Sequence, residues 1–261
     1  MIKSPSIAAV ASVLAASSAQ AVIPFTVSLE SEAAGIQKST SGFDAVGIET
    51  FDAIATGTGK NVTSNFGGSV FSGRYAGVQI NKADQYGGAG GNGRYPVTFT
   101  NAGYSVDLSS SQPGGVTYFG FWLSALDAGN NVSFYQGGQL LFTFGAQAAR
   151  TFINTLPDFK SHYGNPNIAF AGRNSGEPYS FLNFYARGGT SFDRIVFAEK
   201  PAGGGYESDN HMVGRWNRVS GTIVPVAGTI NTVPEPATWL MLVFGFGLVG
   251  VGMRKHMLVA A

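Results

Sequence analysis

The sequence predicts an all-β protein: an antiparallel, jelly-roll-like β-sandwich between an N-terminal signal peptide and a single C-terminal transmembrane helix. Three features of the composition predict the sandwich. Charged residues make up 12% of the 261 residues, aromatic residues make up 13%, and glycine occurs 37 times. Few charges, many aromatic rings and many glycines are typical of short strands joined by tight turns. Because 44% of the residues are apolar and the net charge is +1, a disordered chain is not expected.

Strand signals recur along the chain, with turn signals between them. Residues 97–100 and 104–108 alternate apolar and polar side chains, and residues 116–123 form a run rich in aromatic residues. Alternation at a period of two is the pattern of a strand that is buried on one face. No long segment repeats apolar residues at the helical period, so short strands are expected throughout.

Two β-hairpins are predicted, each with a Gly-Gly pair between two apolar runs. Paired glycines suit the tight turn of a hairpin because both turn positions need a positive φ angle. The expected hairpins are residues 132–144, around Gly137-Gly138, and residues 181–197, around Gly188-Gly189.

Residues 1–21 have the features of a secretory signal peptide. Lys3 provides the positive start, residues 7–16 form a short apolar run, and Ala19 and Ala21 form a small-x-small cleavage site. The apolar run is too short to span a membrane as a helix. Cleavage after Ala21 is therefore expected.

The C-terminal region carries a second apolar segment. Residues 237–253 are apolar or glycine apart from Thr238, and this length is at the short end of the ~17–25 residues that span a bilayer. Arg254 and Lys255 follow at once. Cations directly after a span favour its cytoplasmic end, so the body of the protein is expected to face outward.

A specific order of parts surrounds this segment. Two prolines around one carboxylate form a rigid, extended stretch immediately before it. The parts are, in order, Pro234-Glu235-Pro236, Trp239, the apolar run and Arg254-Lys255. This order resembles the PEP-CTERM sorting signal in its PEPxxWA form, with Leu240 where that form has alanine. The resemblance implies a Gram-negative bacterium that makes exopolysaccharide, and recognition by an exosortase in the inner membrane.

The body is similar to the ectodomains that often precede this signal, over residues 118–127, 192–197 and 206–211. That resemblance implies a fold and a location, and it implies no biochemical activity. The resulting segments are a signal peptide (1–21), a lead-in segment or first strand (22–40), the sandwich ectodomain (41–216), a linker (217–233), the sorting signal with its transmembrane helix (234–256) and a short tail (257–261).

Oxygen ligands near the end of the ectodomain make a calcium site a candidate. Glu207 and Asp209 are two residues apart and share one face of a strand, and Asn210 follows. Carboxylate and amide oxygens are the ligands that Ca²⁺ prefers. Glu49 and Asp52 complete the site if the first and last strands pair. The alternatives are a strand end whose polar groups bond to the backbone, and an acid/base pair.

The most glycine-dense stretch, residues 86–93, is expected to be a surface loop. A phosphate-binding loop needs a helix directly after it, whereas a strand follows here. Tyr86 and Tyr95 flank the loop and are candidate glycan contacts, because tyrosine presents an apolar ring and a polar tip.

The sequence contains no hydrolase signature. It has no cysteine and no Gly-x-Ser-x-Gly motif, and the body holds only His162 and His211. Asp127, with its neighbouring asparagines Asn130 and Asn131, is expected to stabilise a turn. A non-enzymatic protein is therefore predicted. The alternative is a carbohydrate-active hydrolase or lyase on a jelly-roll scaffold, with Glu177 and Glu207 as its carboxyl groups.

Residues 22–253 carry 13 basic and 15 acidic side chains and no basic cluster, which excludes an electrostatic nucleic-acid surface. The sequence thus predicts a protein that is exported, held briefly in the inner membrane with its ectodomain in the periplasm, and delivered to the cell surface or biofilm matrix. There it is expected to bind or scaffold exopolysaccharide, with a structural calcium ion as a candidate cofactor. A purely structural matrix subunit remains the other alternative.

Overall fold

The computed structural model describes residues 24–30, 37–99, 102–200 and 203–225, which form an antiparallel β-structure. The predicted signal peptide, with Ala19 and Ala21, and the whole sorting signal lie outside these residues. Within the described part, no helix is long and apolar enough to cross a membrane.

Over the described residues, thirteen strands form one continuous sheet. Their bounds are Phe25–Leu29 (β1), Gly42–Glu49 (β2), Gly57–Ser64 (β3), Phe71–Lys82 (β4), Arg94–Phe99 (β5), Gly103–Ser110 (β6), Tyr118–Ser124 (β7), Asn130–Gln136 (β8), Gln139–Gly145 (β9), Ser180–Ala186 (β10), Arg194–Glu199 (β11), Gly205–Arg218 (β12) and Thr222–Ile223 (β13). One short helix, Ala146–Ile153 (α1), follows β9.

The sheet curls so that one flank, formed by β1, β10 and β7, faces the opposite flank, formed by β6, β11, β8 and β9. Along the sheet the order is β13-β1-β10-β7-β12-β5-β4-β6-β11-β8-β9, with β2 beside β12 and β3 beside β4. Phe25 of β1 stacks on Phe142 of β9 at 5.1 Å, and Phe121 of β7 meets Phe197 of β11 at 5.2 Å. Rings from the two flanks therefore fill one common core. The predicted all-β sandwich is confirmed, in the form of a curled half-barrel.

A second apolar cluster covers the outer face of β7 and β10. Tyr118, Trp122, Phe181 and Tyr185 belong to it and are fully buried or nearly so. Both faces of β7 are thus removed from water, which explains the uninterrupted aromatic run in the sequence. These aromatic rings cannot form a binding platform at the surface, because every residue of β7 is buried.

The first predicted hairpin is confirmed and the second is wrong. Strands β8 and β9 pair directly, and Gly137 and Gly138 turn between them with φ angles of 55° and 81°. In contrast, β10 pairs with β1 and β7, whereas β11 pairs with β6 and β8. The segment between them crosses from one flank to the other. Two apolar strands around a glycine pair do not specify each other as partners when both can pair elsewhere.

The sheet extends beyond residues 41–216 on both sides. Strand β1 lies in the expected lead-in segment and β13 lies in the expected linker. The two strands pair with each other, with Ser28 opposite Ile223 and Leu29 opposite Thr222. The described chain therefore begins and ends at the same edge of the sheet.

Candidate functional site

A pocket of about 430 Å³ lies on the outer face of the sheet, where β5 and β7 end and β12 begins. Its size is in the range of small-molecule sites, ~300–1,000 Å³. We call it the acidic pocket, because carboxylates and aromatic rings meet there: Asp127, Glu177, Glu207, Tyr86 and Phe99, with Ala125 and Gly203, Gly204 and Gly205 completing the lining.

Strand register places Glu207 in this pocket. Glu207 stands between Ser124 of β7 and Val97 of β5, on the same face as the outer cluster. Phe99, two residues after Val97, shares this face and is 44% exposed. Glu207 itself is only 5% exposed although it lines the pocket. Its carboxyl group therefore lies at the buried end of the site.

Two glycines leave room for the carboxylates. A Cβ atom on Gly204 would collide with Asp127 Oδ2, and a Cβ atom on Gly205 would collide with Glu207 Oε1. Gly204 also has a φ angle of 144°, which side-chain-bearing residues rarely adopt. The glycine run before β12 is thus a requirement of the pocket, and the sequence analysis did not identify it.

Hydrogen bonds hold Asp127 at the rim. Its backbone N–H donates to Asn130 Oδ1 at 2.8 Å, and its carboxylate accepts a hydrogen bond from the backbone N–H of Gly205. Asn130 Nδ2 in turn donates to Glu199 Oε2 at 2.6 Å and to the Gly205 carbonyl oxygen at 2.9 Å. The predicted turn role of these residues is observed, and Asp127 gains a place in the pocket that sequence reasoning missed.

The environment of the pocket disfavours ionised carboxyl groups. Burial raises the pKa of Glu207 well above its usual range, and the charges of Asp127, Asp84 and Glu177 raise it further. Burial also raises the pKa values of Asp127 and Glu177, which Arg150 partly offsets. The pocket therefore attracts protons or other positive charge.

The glycine-rich loop carries Tyr86 to the pocket. The carbonyl oxygen of Gln85 accepts hydrogen bonds from Asn165 Nδ2 at 3.0 Å, Asn174 Nδ2 at 2.8 Å and the Tyr179 hydroxyl at 2.9 Å. These donors belong to the segment that precedes β10, so two loops are fastened together. Tyr86 follows directly and is 45% exposed at the pocket.

The other predicted glycan contact, Tyr95, is buried. It is 1% exposed, and its hydroxyl donates to Asp84 Oδ1 at 3.1 Å. The ring packs so closely beneath Gly87 that a Cβ atom there would collide with it. Tyr95 therefore supports the loop from below and cannot itself contact a ligand at the surface. The sequence shows a tyrosine on each side of the loop, but only the register of β5 shows that Tyr95 is buried and Tyr86 exposed.

The predicted calcium ligands are only partly brought together. Strands β2 and β12 do pair, with Glu49 opposite His211, and the charges of Glu49 and Asp52 act on Asp209. Glu207 lies apart from them, in the acidic pocket. The members of this cluster already have backbone partners: Glu49 with Phe51 N–H, Asp52 with Arg94 N–H, Asp209 with Ala89 and Asn210 N–H, and Asn210 Nδ2 with the Gln37 carbonyl oxygen.

Across the described parts of the chain, no three acidic or histidine side chains gather closely enough to hold a metal ion. Calcium binding by Glu207, Asp209, Asn210, Glu49 and Asp52 stays a prediction.

A serine–histidine pair lies in the core. Ser208 Oγ is 3.0 Å from His211 Nε2, and the Tyr75 hydroxyl is 3.1 Å from His211 Nδ1. Both members of the pair are fully buried, and burial lowers the pKa of His211 to about 3. No substrate can reach this pair in the folded protein, and a tyrosine stands where a triad has a carboxylate. It is a structural link between β12 and β4.

A second pocket, of about 300 Å³, lies at the far end of β12. Trp216, Arg215 and Asp44 line it. The Arg187 guanidinium lies 5.5 Å from the centre of the Trp216 ring, and the indole N–H donates to the Ala186 carbonyl oxygen at 2.9 Å. The two ends of β12 thus carry different pockets, one lined by three carboxyl groups and one by Asp44, Arg215 and Trp216.

Comparison with known proteins identifies the C-terminal region. The family model of the PEP-CTERM protein-sorting motif matches residues 232–255, which include Pro234, Glu235, Pro236, Trp239, Arg254 and Lys255. No curated protein and no solved structure gives a significant match to the chain. The match covers the sorting segment that the residues themselves indicated. The chain therefore carries a PEP-CTERM protein-sorting motif, which indicates export, transient anchoring in the membrane and exosortase-dependent sorting to the cell surface.

Proposed function

We propose that the protein is a non-enzymatic component of the cell surface or biofilm matrix that binds exopolysaccharide through the acidic pocket. The observation that carries this proposal is the combination of exposed rings and carboxylates around one cavity. Sugar rings have apolar faces that pack on aromatic side chains, and their hydroxyl groups donate hydrogen bonds to carboxylates. Tyr86 and Phe99 provide the aromatic side chains. The carboxylates are those of Asp127, Glu177 and Glu207.

Sorting supports the same proposal, because delivery to the surface brings the ectodomain to extracellular glycans. The processed protein is expected to begin at Val22 and to end near Pro236. Intact mass of the secreted and membrane fractions tests this in a host that has an exosortase. Glu235→Ala is expected to keep the tail and to stay in membranes, whereas Glu32→Ala serves as a charge-matched control. Secretion of the Glu235→Ala chain with the same mass change as the parent would contradict exosortase processing.

Binding is tested with the processed, secreted protein and the exopolysaccharide of its host. Tyr86→Ala is expected to weaken binding about tenfold, since truncation of a central aromatic contact commonly costs more than 1 kcal/mol and 1.4 kcal/mol is tenfold. Tyr135→Ala, on β8 in the opposite flank, is the control. Equal weakening by both variants would contradict a role for the acidic pocket. Binding to no glycan at all would favour the purely structural subunit.

A second candidate function is favoured by one specific observation, the presence of Glu177 and Glu207 in the same pocket. Glycoside hydrolysis uses a pair of carboxyl groups, one of which has a raised pKa and acts as a general acid. Under this alternative, Glu207 donates the proton and Glu177 acts as the second carboxylate. Release of reducing ends or unsaturated products from exopolysaccharide, lost in Glu207→Gln, would support the enzyme. Intact polysaccharide after prolonged incubation would support the binding protein.

A further inference from the structure

We infer that the acidic pocket selects glycans that carry free ammonium groups, which are amino sugars without an acetyl group, over N-acetylated sugars and uronic acids. This inference rests on the proposed glycan-binding function and names the class of ligand. It derives from the charge, the unfilled hydrogen-bonding capacity and the shape of the pocket.

Acidic side chains crowd the pocket, and their raised pKa values reflect burial together with negative charge that the protein itself compensates poorly. Asp127, Glu177 and Glu207 line it, and Asp84 lies near enough to act on Glu207. Arg150 of α1 acts on Asp127 and Glu177, but its Nη2 donates to the carbonyl oxygen of Gly176 at 3.3 Å, outside the lining. A ligand with carboxylates would add like charges, whereas an ammonium group would neutralise those present.

The carboxylates also have hydrogen-bonding capacity left over. Glu207 is 5% exposed, and among the described residues its carboxylate accepts a hydrogen bond from its own backbone N–H alone. Glu177 Oε2 is buried and has no hydrogen-bond partner in the described part of the chain. Buried acceptors are normally satisfied, so the Glu207 carboxylate, which lines the pocket, has room for a donor from a ligand. An ammonium group supplies three N–H donors and no acceptor.

The arrangement suits a sugar ring better than a bare metal ion. The carboxylates come from three separate segments around a space of about 430 Å³, and no three of the described acidic side chains converge as metal ligands do. Tyr86 and Phe99 add exposed ring faces. Such faces attract a cation as well as the apolar face of a sugar. A pyranose ring with an amine can therefore pack its apolar face on the aromatic rings and place its ammonium group among the carboxylates.

The test compares three oligosaccharides of equal length in calorimetric titrations of the processed protein: glucosamine hexamer, N-acetylglucosamine hexamer and galacturonate hexamer. We expect the glucosamine hexamer to bind at least tenfold more tightly than the acetylated one, and the galacturonate hexamer to show no binding. Raising the salt concentration to 0.5 M is expected to reduce this preference in part, because the charges of the partly exposed Asp127 and Glu177 are screened.

Variants assign the preference to the pocket. Glu207→Gln keeps the shape and is expected to reduce the preference for the glucosamine hexamer about tenfold. Gly205→Ala, which displaces the Glu207 carboxylate, is expected to act in the same direction. Asp107→Asn is the control, because that carboxylate is 53% exposed on the opposite flank. Circular dichroism verifies that each variant is folded.

The outcomes separate the two proposals. Equal affinity for the acetylated and deacetylated hexamers overturns the inference and leaves glycan binding intact. Binding to the host exopolysaccharide that Glu207→Gln does not alter also overturns it. Binding to neither the hexamers nor the host exopolysaccharide contradicts the proposed function itself. Calcium binding that Glu207→Gln abolishes overturns the inference in favour of a metal ion.

Discussion

Ser208 and His211 are three residues apart on β12 and still hydrogen-bond to each other, with Ser208 Oγ 3.0 Å from His211 Nε2. Residues at this spacing face opposite sides of a regular strand. Here the register of β12 against β7 shifts between Asp209 and Met212, and Asn210 adopts a φ angle of 48°. The bulge therefore turns His211 into the core while Asp209 stays on the outer face.

Asn210 is expected to be essential for this bulge. A left-handed conformation costs most side-chain-bearing residues about 1–2 kcal/mol, and asparagine and glycine adopt it more readily. We expect Asn210→Val to lower the free energy of unfolding by at least that amount. Asn210→Gly keeps the backbone geometry and loses only the Nδ2 bond to Gln37, so a smaller loss is expected. Urea unfolding measures both, and equal stability of Asn210→Val and the parent would contradict the argument.

The buried His211 is expected to make the protein sensitive to acid. Its pKa is about 3 in the folded chain and about 6.5 when exposed, so the unfolded chain binds a proton first as the pH falls. The contribution of His211 to stability is complete above pH 6.5. It declines by about 1.4 kcal/mol for each pH unit between 6.5 and 3.

The comparison with His211→Gln isolates this effect, because glutamine does not titrate and can bond to Ser208 and Tyr75. Buried carboxylates affect both proteins equally and cancel in the difference. We expect the advantage of the parent over the variant, measured by urea unfolding, to shrink steadily from pH 7 to pH 4. A constant difference over this range would show that His211 is not held neutral by the fold.

A substitution in the β8–β9 turn is expected to lower stability through backbone strain alone, with no steric clash. Gly138 has a φ angle of 81°, and nothing lies within 4 Å of a Cβ atom built there. We expect Gly138→Ala to destabilise the protein by about 1 kcal/mol or more. Gly176→Ala is the matched control, since its surroundings are equally open and its φ angle is ordinary. Thermal unfolding of the two variants should therefore differ, and equal melting temperatures would contradict the assignment.

The two predicted hairpins show which part of the fold a sequence specifies. Gly137-Gly138 forms a hairpin because β9 ends the described strand order, with β8 as its neighbour in the sheet. Gly188-Gly189 has the same local signal, but β10 is drawn between β1 and β7 by aromatic residues on both of its faces. Turn chemistry is local and predictable, whereas the choice among several apolar partners depends on the whole sheet.

The acidic pocket likewise contains residues that the sequence identifies and residues that only the fold brings together. The sequence predicts Glu177 and Glu207 as a chemically capable pair, and both line one pocket although they are 30 positions apart. Asp127 and Phe99 were missed, because a turn residue and a strand residue carry no mark of a shared cavity. Tyr95 is predicted at the surface from the sequence but is buried, because its position depends on the register of β5 and on its hydrogen bond to Asp84.

Glu207→Gln is expected to stabilise the protein at neutral pH. Burial holds the pKa of Glu207 well above the value of about 4.3 that an exposed glutamate has. The contribution of this carboxyl group to stability is therefore complete below that value. It is lost as the pH rises from there towards the folded pKa, by about 1.4 kcal/mol for each unit.

Glutamine cannot ionise, so the variant escapes this loss. We expect Glu207→Gln to melt at a higher temperature than the parent at pH 7 and at the same temperature at pH 4, while it binds ligand less well. Asp107→Asn, at an exposed position, should change neither value appreciably. Residues that weaken a fold and strengthen binding are typical of functional sites. A variant that is less stable than the parent at pH 7 would instead identify Glu207 as a structural carboxylate.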